Sequence, residues 1–130
     1  MGKIEFKSQI CTTREQSERL LEMGLGKATA DMMYITSVID GLGKWLPEEY
    51  RHYRLEIGEY HKPIGKGMLH IPAWSMHRLI EIASDVQKIP ISFVNWMHSD
   101  VRFDYDHLID TIQWLIECGY INELYLEEKL

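Results

Sequence analysis

Residues 106–121, DHLIDTIQWLIECGYI, carry the clearest structural signal in the chain. Asp106 can cap the start of a helix. The apolar residues behind it recur at spacings of three and four, which places them on one stripe: Leu108, Ile109, Ile112, Leu115 and Ile116. Gly119 can supply the left-handed residue that ends the helix, and Tyr120 can pack back onto Leu115. The pattern predicts a core helix of a folded domain.

The composition around this helix is that of one globular domain. The chain has 130 residues, of which 45% are hydrophobic, with four Trp, seven Tyr and three Phe. That length allows a single core that buries roughly two thirds of the unfolded surface, and the aromatic content argues against disorder. We predict one domain over 1–130, with a mobile loop at 58–70, where glycine and proline cluster, and an acidic tail at 121–130.

Charge and cysteine content exclude several classes of protein. No apolar run is long enough to cross a membrane, and the first ten residues lack the apolar stretch of a signal peptide. Cys11 and Cys118 lie too far apart in sequence for a metal motif or a disulfide framework, so we expect no metal and no cofactor. Two such cysteines fit a reducing compartment, and we therefore expect a cytoplasmic location. The net charge of −6 argues against nucleic-acid binding, because affinity for duplexes depends on Lys and Arg.

The first third of the chain predicts two helices. Thr12 and Glu15 form a capping-box pattern, and Gly24 follows as a stop. Apolar residues between Ala28 and Leu42 then repeat at spacings of four and three, which is typical of a second helix.

These two predicted helices have the outline of a helix-turn-helix, in which residues 27–37 would form the recognition helix. Such a helix normally brings Arg, Lys, Asn or Gln to the base edges, and here Lys27 is the only one of these residues. An αα-hairpin used for packing is therefore favoured over a DNA-binding module.

The middle of the chain gives a mixed signal. Pro47 followed by two glutamates is typical of a helix start, whereas the alternation of Tyr53, Leu55 and Ile57 with polar residues is typical of a strand. The sequence leaves both open. After this region, Pro72 predicts the start of a helix whose buried stripe is Met76, Leu79, Ile80 and Ala83.

Two further apolar segments predict a β-hairpin near 90–105, in which 90–97 turns back at Ser99 and Asp100. Helices and strands in this order predict an α+β fold, a single small domain with about four helices and a short antiparallel hairpin. We expect its buried residues to include Trp74, Leu79, Ile112 and Leu115.

One cluster has the side chains that acid–base or metal chemistry needs. Imidazoles and carboxylates occur together near the predicted turn, at His98, Asp100, Asp104, Asp106 and His107. A hydrolase or metal-dependent enzyme could use them, although Asp106 is already a helix cap and Asp100 is a typical turn residue. The evenly spaced His52, His61 and His70 do not have a metal-ligand spacing, and we predict no site there.

Aromatic residues and arginines cluster in the segment after Gly43. The candidate binding residues are Trp45, Tyr50, Tyr53, Arg54 and Tyr60. Aromatics with Arg are typical of surfaces that bind proteins, since they combine a large contact area with polar tips. The alternative, that some of them cover the core beneath a long loop, stays open.

Three stretches, at 10–32, 71–75 and 106–121, resemble a group of short uncharacterised proteins from gut-bacterial genomes, prophages and mobile elements. The region 43–70 departs most from that group. The group has no assigned activity, so the resemblance implies no functional residue. It implies a small accessory protein, and together with the aromatic segment it leads us to expect a non-enzymatic protein-binding module whose partner is unidentified.

Overall fold

The computed structural model describes residues 9–86 and 104–127, and within them the chain forms an α+β domain. Three α-helices accompany one three-stranded antiparallel sheet. In chain order the elements are α1 (Arg14–Glu22), β1 (Met32–Ser37), β2 (Arg54–Ile57), β3 (Met68–Ala73), α2 (Met76–Ser84) and α3 (Tyr105–Cys118). Short 3₁₀ turns occur at Lys27–Thr29, Glu48–Tyr50 and Glu123–Tyr125. The predicted α+β class is confirmed, whereas the described residues form three α-helices in place of the four expected. Of the predicted hairpin at 90–105, residues 90–103 lie outside the described residues, and Tyr105 is the first residue of α3.

The sheet has the order β2-β1-β3, so β1 is its central strand. Met32 lies opposite Ile57 on one side and Ala73 on the other. Met32, Met33 and Ile35 are all buried, although successive side chains of a strand point to opposite faces. The sheet is therefore covered on both faces along β1.

The prediction of a second helix between Ala28 and Leu42 is wrong. Residues 32–38 are rich in β-branched and aromatic side chains, which favour a strand. Because both faces of β1 are buried, its apolar residues do not alternate with polar ones, and their spacing coincides with a helical one. The αα-hairpin and the recognition helix that depended on this helix are absent, since residues 32–37 form a strand and only Lys27–Thr29 makes a 3₁₀ turn.

The predicted helix start at Pro72 is also wrong. Pro72 lies in β3, opposite Met33, and β3 is an edge strand of the sheet that the described residues form, where a residue without an N–H is tolerated. The helix begins after Ser75, whose hydroxyl accepts a hydrogen bond from the Arg78 N–H at 3.1 Å. Its buried residues are Leu79, Ile82 and Ala83, whereas Met76 and Ile80 are only half-buried.

Both predicted helix caps are displaced along the chain. The capping box of α1 joins Thr13 and Gln16, because the Thr12 hydroxyl is buried and accepts from the Trp74 N–H at 3.1 Å. The cap of α3 is Asp104, which accepts from the His107 N–H at 2.7 Å. The predicted end of α3 is confirmed: Gly119 is left-handed with φ 75°.

The main core lies between the three helices. Trp74, Leu79, Ile112 and Leu115 are all fully buried there, as predicted. The described part of the C-terminal segment also packs against the domain. Leu126 pairs with Leu25, and the Gly26 N–H donates to the Tyr125 carbonyl at 2.7 Å. Of the predicted loop at 58–70, the last three residues belong to β3; its mobility stays a prediction.

Within 9–86 and 104–127, every helix falls short of the length and hydrophobicity needed to cross a bilayer.

Candidate binding surface

A hairpin extends the sheet beyond the end of β1. Val38 and Leu46 are joined by a backbone hydrogen bond of 2.7 Å, and Ile39 pairs with Trp45. The carboxylate of Asp40 accepts from the backbone N–H groups of Leu42 at 2.8 Å and Lys44 at 3.0 Å, which is how Asp stabilises a tight turn. The turn is therefore ordered by its own hydrogen bonds.

Arg51 stabilises the base of this hairpin through contacts with its backbone and with Trp45. Its Nε–H donates to the Leu46 carbonyl at 3.0 Å, and its guanidinium lies 4.7 Å from the centre of the Trp45 ring. The guanidinium also pairs with Glu48 at 2.9 Å, and only 10% of the Arg51 side chain is exposed. Contacts of this kind between a guanidinium and an indole face contribute about 0.5–1 kcal/mol at exposed sites.

Glu48 connects this region to α1. Its carboxylate accepts from the Tyr53 hydroxyl at 2.8 Å and pairs with Arg14. The hydrogen bond from Tyr53, followed by that from Arg14, holds the pKa of Glu48 below its ordinary value, because both favour the charged carboxylate. The Arg14 guanidinium in turn lies 3.9 Å from the centre of the Tyr53 ring.

Three large side chains on this segment are exposed although the backbone beneath them is fixed. Leu42 is 84% exposed, Trp45 69% and Tyr50 64%. We call these three residues the hairpin surface. Single exposed hydrophobic residues are common on proteins. The hairpin surface differs from such single residues, because two aromatics and a leucine occur on one short segment. Hydrogen bonds of Asp40 and Arg51 stabilise the backbone of that segment.

The structure divides the five predicted binding residues into two groups. Trp45, Tyr50 and Arg54 are exposed, whereas Tyr53 and Tyr60 are half-buried. Tyr53 lies under Arg14, and Tyr60 packs against the main core with the Lys27 ammonium 5.9 Å from its ring centre. Leu42 was missed because the sequence placed it on the buried stripe of a helix that does not form.

An open groove of about 710 Å³ lies beside the hairpin region, between α1 and the sheet. Leu21, Leu69 and Ile71 supply its apolar lining, and Arg14, Glu18 and Tyr53 supply polar groups. The guanidinium of Arg14 already pairs with Glu48 and covers Tyr53. The groove therefore combines apolar walls with the Arg14–Glu48 ion pair and the carboxylate of Glu18.

Two of the described members of the acidic cluster, Asp104 and Asp106, have structural roles, and His107 contributes its backbone N–H to the cap of α3. Asp104 caps α3, and Asp106 accepts a hydrogen bond of 2.9 Å from the Gln16 side chain; His98 and Asp100 lie outside the described residues. In the part of the chain that the structure describes, no three His, Cys, Asp or Glu side chains come close enough to hold a metal ion. His61 and His70 do meet, with ring centres 5.0 Å apart in an edge contact, a pairing that sequence spacing did not indicate.

Neither thiol is placed for nucleophilic catalysis. Cys11 is buried with its Sγ 3.3 Å from the Tyr34 hydroxyl, and burial raises its pKa, which disfavours the reactive thiolate. Cys118 is exposed at the last residue of α3, and in the described part of the chain no histidine is hydrogen-bonded to it.

Compared with known proteins, the chain matches no protein-family model, no curated protein and no solved structure. The resemblance to short proteins of prophages and mobile elements therefore stays a prediction. Evidence about function comes from the chemistry of the surface itself.

Proposed function

We propose that this protein is a non-enzymatic module that binds another protein through the hairpin surface. One observation carries the proposal: the Trp45 indole is 69% exposed, yet the Arg51 guanidinium fixes it from one side. An exposed aromatic that is already held in place loses little conformational freedom on binding, and Trp and Tyr are enriched among the residues that dominate binding energy at protein interfaces.

A protein partner fits this surface better than a nucleic acid does. The hairpin surface is made of leucine, tryptophan and tyrosine, on a chain with 20 acidic and 14 basic residues. Binding to nucleic acid depends on neutralising phosphates with clustered cations. In keeping with the resemblance noted from the sequence, we propose that the module serves as an accessory protein of a phage or other mobile element.

Affinity capture from a lysate of the host, followed by direct titration, tests this proposal. The test variant is Trp45→Ala with Tyr50→Ala, and the matched control is Ile64→Ala, which truncates an apolar side chain that is 100% exposed elsewhere. A partner that the intact protein and the control capture should be lost by the test variant. In titration with the purified partner, the loss of a dominant aromatic contact of about 2 kcal/mol corresponds to roughly 30-fold weaker binding.

Circular dichroism must show that the variants are folded. A partner that binds the folded test variant as tightly as the intact protein would place the contact surface elsewhere and contradict the proposal.

A further inference from the structure

Among the described residues, no strand pairs with the outer edge of β2. The Gly58 N–H donates to the Asp31 carbonyl at 2.9 Å, and Glu56 and Arg54 lie opposite Met33 and Ile35. Because hydrogen-bonded pairs alternate along an antiparallel ladder, the backbone groups of Arg54 and Glu56 face β1. The N–H and C=O groups of Leu55 and Ile57 therefore face away from the sheet.

This edge is also accessible. Leu55 is 36% exposed and Ile57 86%. Among the described residues, no backbone hydrogen bond outside the ladder with β1 involves either of them. An accessible edge with apolar side chains is a template on which another strand can pair.

We infer that β2 pairs antiparallel with β2 of a second copy of this chain. About a two-fold axis, two registers overlap three residues of each β2 strand and pair the outward-facing backbone groups. In the first, Leu55 lies opposite Leu55 of the second copy, and Arg54 lies opposite Glu56 of the second copy, twice. In the second, Glu56 lies opposite Glu56. Opposite charges directly across a ladder are stabilising and like charges are destabilising, so the charge pattern selects the first register.

The side chains are placed to make these contacts. The Arg54 and Glu56 side chains are 69% and 43% exposed and already lie 3.2 Å apart on one face of the sheet. In the first register they form a ring of four alternating charges with those of the second copy. Leu55 meets Leu55 on the opposite face, because successive residues of a strand point to opposite faces.

A second copy fits this edge better than an unrelated strand because the edge complements itself. A two-fold interface requires that each charge meets its opposite when the same patch is rotated onto itself, and Arg54 and Glu56 flank Leu55 in that way. The pairing would join the two sheets into one. Because β2 is short, the contact falls well below the roughly 1,600 Å² of a typical stable complex, so the dimer is weak and depends on concentration.

Sedimentation equilibrium of the full chain tests the pairing. As the chain concentration rises to about 1 mM, the weight-average mass should rise from 15.3 kDa toward twice that value. A folded protein whose mass stays at 15.3 kDa over the whole range would overturn the inference.

Variants that exchange the charges of Arg54 and Glu56 test the register in which Leu55 lies opposite Leu55. Arg54→Glu and Glu56→Arg each place like charges opposite one another, so each single variant should lose the dimer. The double variant R54E/E56R restores opposite charges and should regain it, and a mixture of the two single variants should form a heterodimer. The matched control is Arg19→Glu, which reverses one charge of the surface ion pair between α1 and α3 and should dimerise like the wild type. A dimer that persists in both folded single variants, or a folded double variant that stays monomeric, would contradict this register.

Amide hydrogen exchange of the wild type needs no variant. The N–H groups of Leu55 and Ile57 should exchange more slowly as the concentration rises, and unchanged exchange in a sample that dimerises would place the interface elsewhere. The pairing uses none of Leu42, Trp45 and Tyr50, so its failure would leave the proposed partner surface untouched.

Discussion

The guanidinium of Arg51 covers one side of the Trp45 indole at 4.7 Å while its Nε–H donates to the Leu46 carbonyl. One side chain thus fixes both the backbone of the hairpin and the largest ring on its surface. Exposure alone would leave Trp45 free to change rotamer. With Arg51 in place, the contact favours one orientation of the ring, and a side chain that is already oriented has a smaller entropic cost of binding.

Replacing Arg51 should loosen the hairpin. Arg51→Leu removes a hydrogen bond worth about 0.5–1.5 kcal/mol and a contact with the ring worth about 0.5–1 kcal/mol. We therefore expect the free energy of unfolding, measured by urea titration, to fall by about 1–2 kcal/mol. Arg51→Lys should recover little of this loss, because an ammonium lacks both the Nε–H and the planar face.

The control for Arg51 is Lys66→Ala, which removes one exposed cation from the loop before β3. It should change the free energy of unfolding by less than about 0.5 kcal/mol. If Arg51→Leu were as mild as this control, Arg51 would not hold the hairpin.

Trp45 and Trp74 should respond differently to truncation. Trp45 is 69% exposed and Trp74 is fully buried. In urea titrations we expect Trp74→Ala to cost about 3–5 kcal/mol and Trp45→Ala to cost about 1 kcal/mol or less. A similar large loss for both would mean that Trp45 serves the fold, and the proposed function would then lose its main support.

The parts of the fold that the sequence predicts correctly are those decided by neighbouring residues. The helix α3 follows from its apolar spacing and from Gly119, which are both local. The strand β1 was mistaken for a helix because β2, β3 and the layers that cover them determine its burial, and those contacts come from distant parts of the chain. The cap of α1 was misplaced for the same reason, since Trp74 engages the hydroxyl of Thr12.

For the candidate surface too, the sequence predicts what depends on neighbouring residues and misses what depends on distant ones. Composition alone indicated an aromatic segment after Gly43, and three of its predicted residues are exposed. Composition could not tell that Arg14 covers Tyr53 or that Tyr60 joins the core, because those contacts bring together residues that are far apart in sequence.

Acid should weaken the connection between α1 and the hairpin region. Hydrogen bonds from Tyr53 and Arg14 lower the pKa of Glu48 in the folded protein below its ordinary value of 4.5. Glu48 therefore contributes stability that is present above pH 4.5 and is lost as the pH falls through the folded-state pKa. The free energy of unfolding, measured from neutral pH to about pH 3, should fall less steeply for Glu48→Gln than for the wild type.

The matched control for Glu48 is Glu49→Gln, which removes one negative charge from the same 3₁₀ turn. Its pH profile should follow that of the wild type. Parallel profiles for Glu48→Gln and the wild type would show that Glu48 does not contribute to the acid sensitivity.

A side chain at Gly67, in the loop before β3, would be strained and would require Ile39 to move. The φ of Gly67 is +89°, which residues with a side chain rarely adopt, and a Cβ there would overlap the side chain of Ile39. Gly67 also accepts the Val38 N–H at 2.8 Å, so a shift would disturb the start of the hairpin. We expect Gly67→Ala to lower the free energy of unfolding by about 1–3 kcal/mol.

Gly65→Ala is the matched control, because Gly65 has an ordinary φ and open space around it. It should leave stability unchanged or raise it slightly by restricting the unfolded chain. Equal stabilities for the two variants in urea titration would mean that the loop adjusts freely and that Gly67 does not constrain the hairpin.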